Sequence, residues 1–358
     1  MSDAVVDDIV ALLPPLLQSL EALGFVARYL DPSEFGVVMQ RIDTPDQALR
    51  DVLPRLANWP ESFAYLRGPL QSASEAALAA FAGLRAVEAG DGDLIVVFRA
   101  LRQLPRAQEA LYPLAALLPP VSEFFMAPEL RDNADLAARL AQPAEPDTGI
   151  SHHDNEPGSR GGFSLYVPET YTPDRAWPLV MALHGGSGHG RGFLWSWLRD
   201  ARSRGAILVA PTATGSTWAL MGDDADTLNL GRILDQVRGR WTVDTTRLLL
   251  TGMSDGGTFC YVSGLERTSP FTHLAPVAAS FHPLLAEMVD AERLRGLPIQ
   301  IVHGRRDWMF PVEVARQARQ ALSAAGAAVT LREIDDLSHC YPREINAALL
   351  DWLGASAA

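Results

Sequence analysis

The chain has 358 residues, of which 48% are hydrophobic and 20% are charged, and its formal net charge is −13. This composition is typical of globular proteins rather than of disordered chains, and the length indicates two domains. The acidic balance argues against non-specific binding to nucleic acid or to anionic membranes. The chain has two cysteines, Cys260 and Cys340, which exclude a framework of several disulfides and a cysteine-based zinc site.

The first residues are acidic where a secretory signal needs positive charge. The apolar stretch that follows is interrupted by Pro14 and Pro15, and we predict that it is too short to cross a bilayer. Two free thiols suit a reducing compartment, although two cysteines can also pair once. These features together predict a cytoplasmic protein without a membrane span.

Residues 1–145 are predicted to form an all-helical domain. Leucines recur at helical spacing near the start, at Leu12, Leu16, Leu17, Leu20 and Leu23. Helix starts are predicted at Thr44 and Ser72, and a helix end at Gly90. Residues 93–98 fit a strand by composition, whereas the arginines and leucines after them fit a helix.

The helical domain carries no signal of its own chemistry. It contains no histidine, no metal-ligand spacing and no paired carboxylates. We therefore expect it to pack on its neighbour, to mediate homo-oligomerisation, or to act as a lid over an active site.

A proline-rich, polar segment at residues 142–147 marks the predicted domain boundary, and the second domain is assigned to residues 146–358. Beyond the boundary, β-branched apolar runs alternate with helical segments, which predicts βαβ units and a mostly parallel sheet flanked by helices. The predicted strands are Phe163–Val167, Leu179–Leu183, Ile207–Ala210, the run before Ser254, Leu274–Ala279, Ile299–Val302 and Val329–Ile334.

Ser254 lies in a G-x-S-x-G pattern formed by Gly252 to Gly256. An apolar run that fits a buried strand precedes the pattern, and a segment that fits a helix follows it. A serine at such a junction sits on a tight turn with its hydroxyl exposed at the carboxyl end of the sheet, where it can act as a nucleophile. The alternative interpretation is a glycine-rich turn with a capping serine.

A nucleophilic serine needs a histidine base, and the base needs an acid that orients it. In folds of this kind the partners follow in the order Ser, Asp or Glu, His. Asp307 follows the strand that ends near His303, at the edge where parallel sheets place their chemistry. Asp335 and Asp336 are rival acids, and Asp307 could instead cap a helix or turn.

His339 is the one histidine that follows Asp307 in the sequence, so the order rule selects it as the base. It lies in the loop between the last predicted strand and the last helix. His282 also follows a strand, but it precedes the acid candidate and is the weaker rival. No metal site or cofactor is expected.

The glycine-rich loop from His184 to Gly190 follows a strand and fits an oxyanion hole. The backbone N–H of Asp255, next to the nucleophile, is one predicted donor. Gly186 is predicted to supply the other, with Ser187 as an alternative. A dinucleotide-binding loop is excluded because the glycine spacing is not G-x-G-x-x-G, and a Walker lysine is absent.

Several aromatic residues lie in loops at the same predicted sheet edge and could line an acyl or aryl pocket. The predicted substrate-binding residues are Trp308, Trp218, Phe281 and Trp195, and Met221 lies in a loop at the same predicted edge. The acidic run Asp223, Asp224 and Asp226 fits a solvated loop, with a metal or cationic substrate as the alternative. Cys260 and Cys340 are expected to be buried small hydrophobic residues.

These motifs together resemble the α/β-hydrolase superfamily, and within it the phospholipase/carboxylesterase and polyhydroxybutyrate-depolymerase or feruloyl-esterase-like branches. The resemblance covers about residues 160–355 and rests on the segments His184–Gly186, Gly252–Gly257, His303–Asp307 and His339–Pro342. It implies an α/β-hydrolase domain with Ser254 as nucleophile, Asp307 as acid and His339 as base. The first 140 residues have no counterpart in this resemblance.

The expected function is therefore a serine carboxylesterase that acts on a small-molecule ester through an acyl-enzyme. A peptidase or an acyltransferase with the same three residues is an alternative, because pocket shape rather than the catalytic residues sets the acceptor and leaving group. A non-catalytic hydrolase fold that serves as a scaffold is a second alternative.

Overall fold

The computed structural model describes residues 3–90, 93–220 and 223–355. It divides into two compact units, Met1–Ala141 and Gln142–Ala358. The division between the units falls at the start of the proline-rich segment, whereas the predicted domain boundary lies between residues 145 and 146. The described part of the first unit contains α-helices and short 3₁₀ turns and no strand.

The first unit packs its helices around leucines, alanines and a few aromatic side chains, such as Phe81 and Phe125, that are fully buried. Short 3₁₀ turns join several of the helices. The α-helices are α1 (Asp3–Arg28), α2 (Phe35–Gln40), α3 (Pro45–Val52), α4 (Ala64–Glu88), α5 (Leu94–Leu101), α6 (Gln103–Leu111), α7 (Pro119–Phe124) and α8 (Ala134–Leu140).

Two local predictions for this unit were wrong. Helix α4 begins at Ala64 rather than at Ser72, so the predicted start lies in the interior of the helix. The hydroxyl of Ser74, in the predicted first turn, donates to the carbonyl of Leu70 in the preceding turn. The possible strand at residues 93–98 is a helix instead, since the carboxylate of Asp93 accepts from the N–H groups of Ile95 and Val96 and caps the first turn.

Helix α1 continues through Pro14 and Pro15, so the prediction that this stretch is too short to span a bilayer was wrong about its length. This helix of 26 residues is long and apolar enough to cross a membrane, and an 18-residue window within it has a mean hydropathy of 1.7. Length and composition alone do not separate such a span from the core helix of a globular unit. Several of its apolar residues, among them Leu12, Leu16 and Leu23, are fully buried in this structure.

The second unit is built on a sheet of eight strands. The strand order is β1-β2-β4-β3-β5-β6-β7-β8, in which β3 to β8 are parallel and β1 and β2 pair antiparallel with their neighbours. The strands are β1 (Gly149–His153), β2 (Phe163–Val167), β3 (Trp177–Leu183), β4 (Ile207–Pro211), β5 (Val243–Met253), β6 (His273–Val277), β7 (Pro298–Gly304) and β8 (Ala328–Ile334).

Helices follow most of these strands, as expected where a crossover must return the chain to the same edge of a parallel sheet. Their apolar faces pack on the central strands, whose residues are almost all buried. The helices are α9 (Gly190–Phe193), α10 (Leu198–Arg204), α11 (Ala225–Arg238), α12 (Asp255–Gly264), α13 (Leu284–Met288), α14 (Ala291–Leu294), α15 (Val312–Ala324) and α16 (Asn346–Ala355).

This architecture confirms the predicted fold class, a mostly parallel α/β-hydrolase sheet with a helical region before it. Parallel strands bring their carboxyl ends to one edge, and the candidate residues follow four of those ends. Gly186 follows β3, Ser254 follows β5, Asp307 follows β7 and His339 follows β8.

Candidate active site

Ser254 occupies a strained turn between β5 and α12. Its backbone φ is 55° and its ψ is −120°, a conformation that residues other than glycine rarely adopt. The turn is held from both sides, because the Ser254 N–H donates to the Val277 carbonyl at 2.9 Å and the Ser254 carbonyl accepts from the Thr258 N–H at 2.8 Å. The strain is thus supported by β6 and by the first turn of α12.

The two glycines of the pattern leave room for this turn. A Cβ on Gly252 would lie 2.5 Å from the carbonyl carbon of Gly256, and a Cβ on Gly256 would lie 2.4 Å from the carbonyl oxygen of His184. Both distances are too short for real side chains, so only glycine permits these backbones to approach. The pattern therefore packs the turn against the end of β3.

His339 bridges the serine and the aspartate. Its Nε2 lies 3.0 Å from the Ser254 hydroxyl, and its Nδ1 lies 2.9 Å from one Asp307 carboxylate oxygen and 3.0 Å from the other. This geometry assigns the proton to Nδ1, which donates to Asp307, and leaves the Nε2 lone pair to accept from the serine hydroxyl. All three side chains are mostly buried.

The Asp307 carboxylate is built to remain ionised. Its Oδ1 accepts from the backbone N–H groups of Met309 and Phe310, both at 2.9 Å. Burial by itself would raise the pKa of Asp307, but the hydrogen bonds from His339 and Phe310 and the charges of His339 and His303 outweigh it and lower that pKa. An ionised acid is what orients a histidine base and stabilises its protonated form.

The rival residues lie away from this constellation. His282 is exposed, and its Nδ1 accepts from the Leu284 N–H at 3.3 Å within its own loop. Asp335 and Asp336 are exposed, and Asp335 forms an ion pair of 3.1 Å with Arg305. None of them is among the residues whose hydrogen bonds reach Ser254 or His339 in the described structure.

The glycine loop after β3 reaches the nucleophile turn, as the oxyanion hypothesis requires. A Cβ on Gly185 would lie 3.6 Å from the Ser254 Cβ, and a Cβ on Gly186 would lie 2.8 Å from the Asp255 Oδ2. Asp255 opens α12, where backbone N–H groups have no intrahelical acceptor. Gly186 and Asp255 are therefore adjacent, beside the serine.

Thr217 and His184 hold this region and were not recognised as functional from the sequence. The Thr217 hydroxyl donates to the Asp255 carboxylate at 2.6 Å. His184 is 1% exposed, and its Nδ1 donates to the Gly185 carbonyl at 2.7 Å while its Nε2 accepts from the Ala213 N–H at 3.1 Å. The histidine that opens the glycine motif was a signal for this anchoring role.

His184 makes the loop sensitive to acid. Burial lowers its pKa from 6.5 to about 4, against the opposing effect of its bond to the Gly185 carbonyl. The folded state thus binds fewer protons than the unfolded state between these values. Its contribution to stability is fully present above pH 6.5 and is lost as the pH falls towards 4.

We expect the free energy of unfolding to fall more steeply in the native chain than in a His184→Gln variant when the pH drops from 7 to 4. The difference in that fall should approach about 3 kcal/mol, at about 1.4 kcal/mol per pK unit. Urea unfolding of both proteins across this range measures it. Equal pH dependence in the two proteins would contradict the assignment.

The four predicted pocket residues differ in exposure. Trp308 is 48% exposed, and its ring centroid lies 6.0 Å from that of His339. Trp218 and Trp195 are each 2% exposed, and Phe281 is 8% exposed. Trp218 stacks on Phe259 and donates to the His184 carbonyl, so it supports the glycine-rich loop that begins at His184. Of the four, Trp308 offers a ligand the largest surface, and Met221 lies outside the described residues.

The acidic run at the start of α11 has a structural role. The prediction of a solvated loop was wrong for Asp226, which is 1% exposed and accepts from the N–H groups of Thr214 and Ala219. Asp224 caps α11 by accepting from the Thr227 N–H. Within the described residues no cluster of three or more His, Cys, Asp or Glu residues could hold a metal ion.

Cys260 and Cys340 are both buried, as predicted, and no disulfide joins them in the described structure. The Cys260 thiol donates to the Leu250 carbonyl at 3.2 Å, and burial raises its pKa. A thiol of raised pKa is a poor nucleophile. Cys260 therefore acts as a packing residue beneath the nucleophile turn.

Comparison with known proteins identifies an esterase relative in sequence. No family model matches the chain. A bifunctional acetylxylan esterase/xylanase of Neocallimastix patriciarum is 31% identical over 171 residues, which cover 44% of this chain and 23% of the relative. The match thus involves about a quarter of that longer protein.

Solved structures of esterases are similar in fold to part of the chain. A truncated carbohydrate esterase from gut microbiota has a TM-score of 0.48 and 13% identity, with 60% of this chain and 99% of that chain covered. A ferulic acid esterase has a TM-score of 0.47 and 17% identity, with 58% of this chain and 96% of that chain covered.

Proposed function

We propose that this chain, an α/β hydrolase by fold, is a serine esterase that cleaves carboxylic esters through Ser254, His339 and Asp307. The observation that carries the proposal is the continuous path of hydrogen bonds from the serine hydroxyl through the histidine to the buried carboxylate. Its components serve acyl transfer: a nucleophile on a strained turn, an oriented base and an ionised acid.

In the proposed reaction the Ser254 Oγ attacks the ester carbonyl carbon while His339 Nε2 takes the hydroxyl proton. The tetrahedral intermediate collapses when His339 returns this proton to the leaving alcohol, which leaves an acyl group on Ser254. Water then attacks the acyl-enzyme with His339 again as base, and the acid product and free Ser254 are released.

The negative charge on the former carbonyl oxygen needs preorganised donors. We assign this role to the backbone N–H groups of Gly186 and Asp255, since both residues lie beside Ser254 at the ends of two neighbouring strands. Donors of this kind contribute about 3–4 kcal/mol to the transition state.

A fluorophosphonate probe tests the proposed nucleophile directly, because it phosphonylates activated serine hydroxyls. We expect one modified peptide, containing Ser254, after digestion and mass spectrometry of the labelled protein. A Ser254→Ala variant is the matched control and should remain unlabelled. If the unmodified protein is labelled no more than the Ser254→Ala variant, the result would favour the non-catalytic scaffold.

The acyl acceptor and leaving group are chosen by the pocket, so the same three residues could serve a peptidase or an acyltransferase. The esterase proposal is supported by the sequence relative, whose description names acetylxylan esterase activity. Rates on matched acetyl esters, thioesters and amides separate these reactions, and we expect the ester to be hydrolysed fastest. A cytoplasmic location stays a proposal, supported by two cysteines that form no disulfide.

Trp308 is proposed to contact the substrate, since its half-exposed ring lies beside the His339 ring. We expect Trp308→Ala to raise KM for p-nitrophenyl butyrate about three- to tenfold, because an aromatic contact contributes about 0.5–1.5 kcal/mol beyond burial. The kcat should change little. Steady-state kinetics measures both, and an unchanged KM would contradict this assignment.

A further inference from the structure

His303 is a second histidine beside Asp307, and the proposed reaction does not use it. It is the penultimate residue of β7 and is completely buried. Its Nε2 lies 2.8 Å from the Phe310 carbonyl oxygen and 3.5 Å from the Asp307 Oδ2. It therefore lies near the Oδ2 of the acid, whereas the N–H groups of the loop bond to the Oδ1.

The contacts of His303 close a ring around the acid. The Phe310 carbonyl accepts from His303, and the Phe310 N–H donates to the Asp307 Oδ1 at 2.9 Å. One peptide residue thus links the histidine at the strand end to the carboxylate in the loop. This link fixes both the position of the loop and the rotation of the carboxylate.

The protonation of His303 follows from its surroundings. Both acceptors face Nε2, whereas Nδ1 is buried and has no hydrogen-bond partner among the described residues. The proton therefore belongs on Nε2, and the Nδ1 lone pair faces the packed interior. In this form the His303 N–H donates to the Phe310 carbonyl, and its nitrogen lies 3.5 Å from the Asp307 Oδ2.

We propose that His303 is a positioning residue for the acid: its Nε2–H holds the Phe310 carbonyl and offsets part of the Asp307 charge. The inference rests on the proposed esterase function. Because the His303 Nε2 lies 3.5 Å from the Asp307 Oδ2, its N–H limits how strongly Asp307 stabilises protonated His339. Since catalysis needs neutral His339, the pH–rate profile of a His303 variant is a readout of this positioning.

Two amide variants test the role of Nε2. The His303→Asn amide ends near the position of Nδ1 and cannot reach the Phe310 carbonyl, whereas the His303→Gln amide can. We expect His303→Asn to lower kcat about tenfold with little change in KM. The reason is the loss of the hydrogen bond from His303 to the Phe310 carbonyl, which positions Asp307. The acidic limb of the pH–rate profile of this variant should move to higher pH, because Asp307 then pairs more strongly with His339. His303→Gln should restore both properties.

A buried histidine at the amino end of the neighbouring strand supplies the control. His273 begins β6, is 2% exposed and contacts the Trp352 ring, so His273→Asn tests burial of an amide away from the site. We expect its pH profile to match that of the unmodified protein. If His303→Asn does not fold, His303→Leu replaces it in the same comparison with His303→Gln.

The outcomes separate this inference from the proposed function. An unshifted profile with unchanged kcat in a folded His303→Asn or His303→Leu variant would overturn the positioning role, and so would a His303→Gln variant as impaired as His303→Asn. Ester hydrolysis that survives undiminished in Ser254→Ala would instead overturn the proposed function itself.

Discussion

Replacing Ser254 by alanine is expected to lower kcat on p-nitrophenyl acetate by about 10⁴- to 10⁶-fold, the range typical of removing the nucleophile of a serine hydrolase. The Ser254 Oγ is the atom 3.0 Å from His339 Nε2, and no other hydroxyl of the described residues bonds to that nitrogen. Without it no acyl-enzyme can form, while binding and the oxyanion donors remain. Single-turnover and steady-state assays with purified protein measure the loss.

The fold should survive this change. Alanine keeps the Cβ and both backbone hydrogen bonds of the turn, to Val277 and from Thr258. We expect the thermal midpoint to be unchanged or slightly raised, because the strained φ of 55° is the same for either residue and one buried polar group is removed. A variant that keeps its activity would contradict the assignment of Ser254, and circular dichroism excludes unfolding as the cause of a loss.

The contact between the three candidate residues could be predicted from the sequence. The order serine, aspartate, histidine and the position of each after a strand select Ser254, Asp307 and His339, because a parallel sheet brings these ends together. The supporting residues could not be predicted in the same way. Thr217 and His303 act through single hydrogen bonds whose distances depend on how loops from different strands pack.

Local propensity explains the misplaced elements of the fold. Residues 93–98 are rich in β-branched and aromatic side chains and favour a strand, but the Asp93 cap and helical packing decide otherwise. Strand β1 was missed because its residues, Gly149–His153, are polar and half-buried and show no hydrophobic alternation. Its pairing with β2 supplies what its composition lacks.

The direction of each side chain explains why the predicted pocket residues differ in exposure. Trp308 and Trp218 both follow strand ends, and the sequence does not distinguish them. The structure turns Trp218 inwards, where it stacks on Phe259 and bonds to the His184 carbonyl. Trp308 follows an aspartate that is fixed by its own loop, and it is left facing solvent beside His339.

Replacing His339 by alanine is expected to lower kcat nearly as much as the loss of Ser254, about 10⁴-fold or more. A serine hydroxyl without a base is a weak nucleophile, and Nε2 of His339 is the nitrogen that contacts it. The loss should fall mainly on kcat, because the base acts in the transition state rather than in ground-state binding. Fluorophosphonate labelling should slow in parallel, since it depends on the same activation.

The His282→Ala variant is the matched control for this result. His282 also follows a strand of the sheet, but it is exposed and bonds within its own loop. We expect its kcat to stay within about twofold of the unmodified value, as for surface substitutions away from the site. An equal loss in both variants would mean that the base has been misassigned. A loss confined to His339→Ala would support a single histidine, aligned by Asp307, as the proton carrier for Ser254.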